Sequence, residues 1–291
     1  SFVAYGLDWK TGDNIVSSNE EFPSNRIVWQ SLADQGVEFR EADLLSAETP
    51  EDALFALVDK NTRLLTVSSI QFASGLRLDI DRIGQFCKDH KILFCIDAIQ
   101  SIGAVQFDVQ KCQADFVMAD GHKWMLGPEG LCVFYTTPTA REQLKLTQFG
   151  WHMMDNTHNY ENKPWDIHPT AQRFECGSPN TMGIYALSAS LSLLLDTGMA
   201  SVEKQVLANA CFLAEIIKLH PGLQLLTKQR QGLQSGIVVF KHTQINQLAL
   251  YKHLLKNHVV CAMRGDGIRF SAHYYNSTAE IDKAIALIPE N

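Results

Sequence analysis

The chain predicts an α/β fold, a large domain with a mostly parallel sheet followed by a smaller C-terminal α+β domain. Three observations lead there. The runs Arg63 to Val67, Ile92 to Ile96 and Asp115 to Ala119 are short and apolar, as strands buried on both faces of a parallel sheet are. Asp79 to His90 lies between two of them and reads as a helix, with Ile80, Ile83 and Phe86 or Cys87 on one face, and Phe107 to Gln113 is long enough for a further crossover. After Pro221-Gly222 short strands and helices alternate again, which suits a smaller domain packed beside the first.

In chain order, Gly12-Asp13 leads into a strand over Asn14 to Ser18, then a helix over Pro23 to Ala33 and a strand over Val37 to Arg40. Thr49-Pro50-Glu51-Asp52 starts a helix, with a capping hydroxyl, proline at the first helical position and acids in the first turn. Leu54, Leu57 and Val58 give that helix its apolar face. Leu131 to Tyr135 is one more apolar strand. From Gln148 to Pro179 the periodicity fades; so long a connection is expected to be functional or covered by a partner, and Trp151, Tyr160 and Trp165 give it aromatic content. Thr181 to Leu195 is a largely apolar helix and Ser201 to Leu219 an amphipathic one, with Gly198 as the stop between them. Strands follow over Gln224 to Thr227 and Gly236 to Lys241, a helix over Ile245 to Asn257, strands near Val259 to Met263 and Ile268 to Ser271, and a helix over Thr278 to Leu287. The expected division is 1–197 for the large domain and 198–291 for the small one.

With 291 residues, 46% of them hydrophobic, the chain can bury a substantial core. A formal charge of -7 argues against a nucleic-acid partner, which calls for a basic footprint. Seven cysteines without a C-x-x-C pair read as reduced, mostly buried thiols. The longest apolar stretch, Ala186 to Leu195, is broken by serines and too short for a membrane span, so no membrane partner is expected and the protein is expected to be cytoplasmic.

The chemistry lies at two strand ends. Asp97 ends the run Phe94-Cys95-Ile96, and Lys123 follows Ala119-Asp120-Gly121-His122. In an open parallel sheet the residues just past the carboxyl ends of strands line the ligand crevice, so both side chains are expected to face one site. Pyridoxal phosphate needs a lysine amine for its imine and an acid to keep its ring nitrogen protonated. Asp97 and Lys123 suit those two tasks, although an isolated Asp is more often a cap and an isolated Lys a solvated side chain.

The runs Glu21-Phe22-Pro23-Ser24-Asn25, Asp97-Ala98-Ile99-Gln100-Ser101-Ile102-Gly103, Asp120 to Gly130, Arg173-Phe174-Glu175-Cys176-Gly177-Ser178-Pro179-Asn180 and Arg269 to Asn276 resemble, in order and along the whole chain, the class V aminotransferase family. That family includes cysteine desulfurases and isopenicillin N epimerase-like proteins. The resemblance implies the fold-type-I architecture of pyridoxal-phosphate enzymes, with Lys123 as the imine lysine and Asp97 on the pyridinium nitrogen. It further implies Gln100 on the ring's phenolic oxygen, His122 near the phosphate, and Arg264 and Arg269 on the substrate carboxylate. Ser178 stands where the family uses a hydroxyl on the neighbouring subunit's phosphate, which implies a homodimer with shared sites. By the same resemblance the chain begins after a Gly-Thr phosphate-binding turn, so it is expected to be a piece of a longer protein.

Three departures matter. Phe22 stands where cysteine desulfurases carry a stacked histidine and is expected to cover the ring sterically. Asp120 replaces a phosphate-binding serine; a carboxylate there is repulsive unless His122 intervenes, so it is expected to orient His122 instead. Only Gly265-Asp266-Gly267-Ile268 separates Arg264 from Arg269, so the loop that presents the desulfurase nucleophile is absent, and Cys261 reads as a buried thiol. The expected activity is therefore transamination of a small amino acid through a Lys-bound imine and a carbanion, with cysteine or cystine C-S lysis or epimerisation as alternatives. A nicotinamide oxidoreductase is disfavoured because no G-x-G-x-x-G occurs. A non-catalytic dimeric scaffold is the remaining rival.

Overall fold

The computed structural model describes residues 1–157, 161 and 164–290. The first layer comprises α1 (Phe2–Gly6), β1 (Asn14–Ser18), α2 (Pro23–Gln30), β2 (Glu38–Ala42), α3 (Pro50–Phe55), β3 (Thr62–Ser68), α4 (Ile80–His90), β4 (Leu93–Asp97), β5 (Phe116–Asp120), β6 (Cys132–Thr136) and α5 (Pro138–Glu142). Its six strands lie in the order β2-β1-β3-β4-β5-β6. All neighbours are parallel except β5 and β6. The strand over Leu131 to Tyr135 thus returns antiparallel at the edge, a direction its apolar composition could not signal. The predicted crossover between β4 and β5 runs through turns rather than a helix.

Successive residues of the central strands enter opposite cores, as the two-residue period of a strand requires. Leu65, Val67, Phe94 and Ile96 join one cluster, while Ile15, Leu64, Cys95 and Phe116 join the other. Each such side chain contributes roughly 1.5–3 kcal/mol when fully buried. Helix α4 closes the first face and is capped by the Asp79 carboxylate, which accepts the Arg82 amide at 3.0 Å. The predicted Thr49 cap of α3 differs: its hydroxyl makes no capping bond there. Phe174, from the long connection, covers the second core with Phe2 and Phe134. The connection is therefore partly packed, with short 3-10 turns at Trp151–Met153 and Ala171–Phe174; Tyr160 lies outside the described residues.

The second layer follows α6 (Thr181–Thr197) and α7 (Met199–Leu219), and holds β7 (Leu223–Leu225), β8 (Ile237–His242), α8 (Gln247–Lys256), β9 (Ala262–Arg264), β10 (Gly267–Ser271) and α9 (Thr278–Ala286). Its sheet runs β7-β8-β10-β9, antiparallel throughout. Leu213 and Ile217 of α7, Leu250 and Leu254 of α8, and Ile281 and Ile285 of α9 fill its core with Phe240 and Ile268. Among the described residues no single helix is long and apolar enough to cross a membrane. Helices α6 and α7 reach that length and composition only together, and they bend by 84° at their junction.

The two layers are joined by a fourth cluster, in which Trp124 and Ile70 meet Val202, Val206, Ile237 and Val239. A buried ion pair adds to it: the Arg230 guanidinium grips Glu51 with two bonds of 2.9 and 2.8 Å, and Glu51 also accepts the Asp79 amide. The cysteines are all unpaired, but only Cys87, Cys95 and Cys112 are buried, which corrects the expectation of mostly buried thiols. Cys132 faces outward because it begins the edge strand β6.

Candidate active site

The parallel registry of β3, β4 and β5 sets Ser68 beside Asp97 and Asp97 beside Met118, so three strand ends open on one crevice. Asp97 is half-buried there. Its Oδ1 accepts the Ile99 amide at 2.9 Å and its Oδ2 the Asn25 side-chain amide at 2.7 Å. Burial raises the Asp97 carboxyl above its ordinary range, and the negative charge of Glu21 adds to that. The two hydrogen bonds and the Lys123 charge oppose the rise.

Lys123 lies in the turn after β5 and is also half-buried. Burial lowers its ammonium pKa, the charges of Arg269 and Arg264 lower it further, and Asp97 opposes them. The next residue anchors the turn: the Trp124 indole is buried and donates to Gln100 Oε1 at 2.9 Å, while its carbonyl meets His273 Nε2 at 3.0 Å. Gly103 makes this possible. It has φ of 92°, and an added Cβ would lie 2.3 Å from the Trp124 carbonyl oxygen. With its oxygen engaged, Gln100 keeps a buried amide nitrogen without a partner.

Opposite Lys123, Phe22 precedes α2, 42% exposed, and meets the Phe72 ring edge-to-face at 5.1 Å; the Lys123 ammonium stands 5.8 Å from the Phe22 centroid. Phe72 also organises the arginines. Its carbonyl accepts Arg269 Nη1 at 2.7 Å, and the Arg264 guanidinium lies 5.8 Å from its ring centre. Arg264 arrives from the end of β9, across the Gly265-Asp266 turn from β10, where Arg269 sits. Burial, with Arg264 nearby, pushes the Arg269 pKa down to about 10. Each guanidinium keeps a buried Nε without a partner.

Two further candidates lie at the rim. His122 Nδ1 is 2.7 Å from Asp120 Oδ1, so the carboxylate does hold the imidazole. Ser178 stands exposed in the segment just before α6. Contacts and charges thus link Asp97, Phe22, Arg264 and Arg269 to Lys123, Gln100 is bonded to the adjacent Trp124, and His122 precedes Lys123 in the chain, while Ser178, expected at a neighbouring subunit's site, is exposed on this one. Phe72, Trp124 and the bridging of Asn25 were given no role from sequence. The one local signal for Phe72 is position: it lies just past the end of β3, as Gln100 lies just past that of β4.

The donor set fits pyridoxal phosphate. A half-buried amine of lowered pKa, a carboxylate beyond it, an orphaned Gln100 amide and two guanidinium groups with spare donors suit a ligand with a carbonyl carbon, a basic ring nitrogen and anionic groups. The family comparison agrees: the family Aminotransferase class-V matches residues 1–284, and the chain belongs to it. Members of that family are pyridoxal-phosphate-dependent enzymes. A probable cysteine desulfurase of Methanothermobacter thermautotrophicus is 29% identical, over 97% of this chain and 74% of its own length. An uncharacterized aminotransferase of Bacillus subtilis is 27% identical, over 94% of this chain and 70% of its own length. Among solved structures, the cystine C-S lyase C-DES superposes with a TM-score of 0.90 at 23% identity, covering 98% of this chain and 77% of that one, which is the same fold-type-I architecture.

Proposed function

We propose that this chain uses Lys123 to take the α-proton of a small amino acid and cleaves the β-carbon–sulfur bond of a cysteine- or cystine-like substrate, releasing the sulfur product to solvent. The observation that carries this reading is the half-buried Lys123 amine, set between Asp97 and the arginine pair. When bound, pyridoxal phosphate supplies the electron sink that makes the α-proton acidic. Asp97, fixed by two donors, holds negative charge for the ring nitrogen, and Gln100 Nε2 has a free donor for the phenolic oxygen. His122, oriented by Asp120, serves the phosphate. Phe22 and Phe72 form an apolar wall that limits water on the lysine side. Arg264 and Arg269 grip the substrate carboxylate with their spare donors.

Lys123 is then the base that acts on the α-carbon. A thiolate leaves without an acid, because thiols ionise near pH ~8.5, so one amine suffices for the elimination. The Gly265-Asp266 turn carries no cysteine, and burial raises the Cys261 thiol to about 11, so neither offers a thiolate to receive the sulfur. Support also comes from the cysteine desulfurase and C-S lyase names among the similar proteins. Transamination is the second reading. It asks Lys123 for one further proton delivery, and the Bacillus subtilis relative carries an aminotransferase name. The proposal includes a homodimer, supported by Met182 and Tyr185, which are 85% and 78% exposed at the start of α6 just after Ser178, and by Leu195, 69% exposed near its other end.

The test is product analysis of the purified protein with pyridoxal phosphate and either cystine, or alanine with a 2-oxo acid. Lysis gives pyruvate, ammonia and persulfide from cystine with no acceptor, lost in Lys123→Ala. Turnover confined to the amino-acid and oxo-acid pair would establish transamination, and turnover in neither mixture would refute the assignment.

A further inference from the structure

Glu21 is a buried carboxylate, 7% exposed, with no cationic partner among the described residues. Such a group persists only when hydrogen bonds replace its water. Five donors do so here. The Ser68 amide and hydroxyl approach at 2.8 and 2.6 Å, Gln71 Nε2 at 3.0 Å, the Ser18 hydroxyl at 3.1 Å and Asn25 Nδ2 at 3.2 Å. Four of these could hold a loop in place with no bearing on chemistry. The fifth differs, because the same Asn25 nitrogen also donates to Asp97 Oδ2 at 2.7 Å. The orientation of that amide is forced: turned over, its oxygen would face two carboxylates.

We infer that Glu21 is a positioning residue which, through Asn25, fixes the Asp97 carboxylate toward the ring nitrogen and adds a second negative charge behind it. The inference rests on the cofactor reading above. Lys123, from the turn after β5, also acts on Asp97, and Cys95, two residues back on β4, feels the Asp97 charge; Ser1, Cys132 and Glu175 line the pocket that Asp97 and Cys95 share. Burial pushes the Cys95 thiol up to about 12, so it is uncharged. Glu21 is thus the anion joined to Asp97 through the Asn25 amide, and its charge favours the protonated ring nitrogen. Replacement by Gln would remove that charge and set an NH2 group against the donors of Ser68, Gln71 and Asn25.

The experiment binds pyridoxal phosphate, nitrogen-15-labelled in the ring, to the protein and to Glu21→Gln, Glu21→Asp and Asn25→Ala, and follows the ring-nitrogen chemical shift with pH. Cofactor dissociation constant and thermal melting are recorded alongside. The expected result is that Glu21→Gln and Asn25→Ala each lower the deprotonation midpoint by about one pH unit, a tenfold change in proton affinity, with a smaller change in cofactor affinity. Glu21→Asp should recover part of the shift. An unchanged midpoint in folded Glu21→Gln, or in Asn25→Ala should the Gln variant fail to fold, would overturn the inference and leave Glu21 a brace of the β1–α2 turn. A parent protein that takes up no cofactor would instead overturn the cofactor reading, a distinguishable failure.

Discussion

Lys123 carries a proton cost set by its neighbours, and that cost can be measured residue by residue. Burial lowers its pKa first, and the charges of Arg269 and Arg264 lower it further. The neutral amine captures an aldehyde, so the rate of cofactor uptake by the cofactor-free protein should rise with pH and level off below the pH at which a solvated lysine would. Removing a repelling cation stabilises the ammonium, so Arg269→Gln should move that rise to higher pH. An unmoved profile would mean that Arg269 does not act on Lys123. Asp97→Asn should cut turnover by about tenfold or more while cofactor retention falls less, because one charge-assisted hydrogen bond is worth ~1.5 kcal/mol or more. A loss within about twofold would make Asp97 structural.

The Trp124 turn is the element on which the site depends. Gly103→Ala would place a methyl against the Trp124 carbonyl and force a residue with φ of 92° into a conformation alanine resists. The cost should be roughly 1–3 kcal/mol in urea denaturation, with weakened cofactor retention because Lys123 precedes Trp124. Stability equal to the parent would contradict this packing. Much of the element pattern was legible in sequence. Strands buried on both faces show as apolar runs, so β3, β4 and β5 were read within a residue or so, and β1, after Gly12-Asp13, was read at its observed bounds. Asp97 and Lys123 were legible because strand ends in a parallel sheet share a crevice. Helix α1, five residues without a periodic pattern, was not read. The parts played by Phe72 and Asn25 were also hidden, since they depend on partners 197 and 72 residues away that no local pattern encodes.

Across the whole molecule, the Glu51–Arg230 pair ties the two layers together. Burial pushes the Glu51 carboxyl up, but the Arg230 fork and the Asp79 amide outweigh it and leave the group below its ordinary range. A depressed carboxylate stabilises the fold above its unfolded pKa, and that contribution is lost as pH falls through the lower folded value. Arg230→Met should cost roughly 3–5 kcal/mol near neutral pH, since it strands a buried charge, and less in acid. A cost independent of pH would contradict the pairing. The proposed homodimer predicts that the parent sediments as a dimer and that a Met182→Glu, Tyr185→Glu variant sediments as a monomer; a monomeric parent would refute it. The most direct test of the central claim is borohydride reduction of the protein loaded with pyridoxal phosphate, followed by peptide mass mapping. The structure predicts one cofactor-derived mass increment on the peptide containing Lys123, lost in Lys123→Ala, whereas an increment on another lysine, or none, would contradict it.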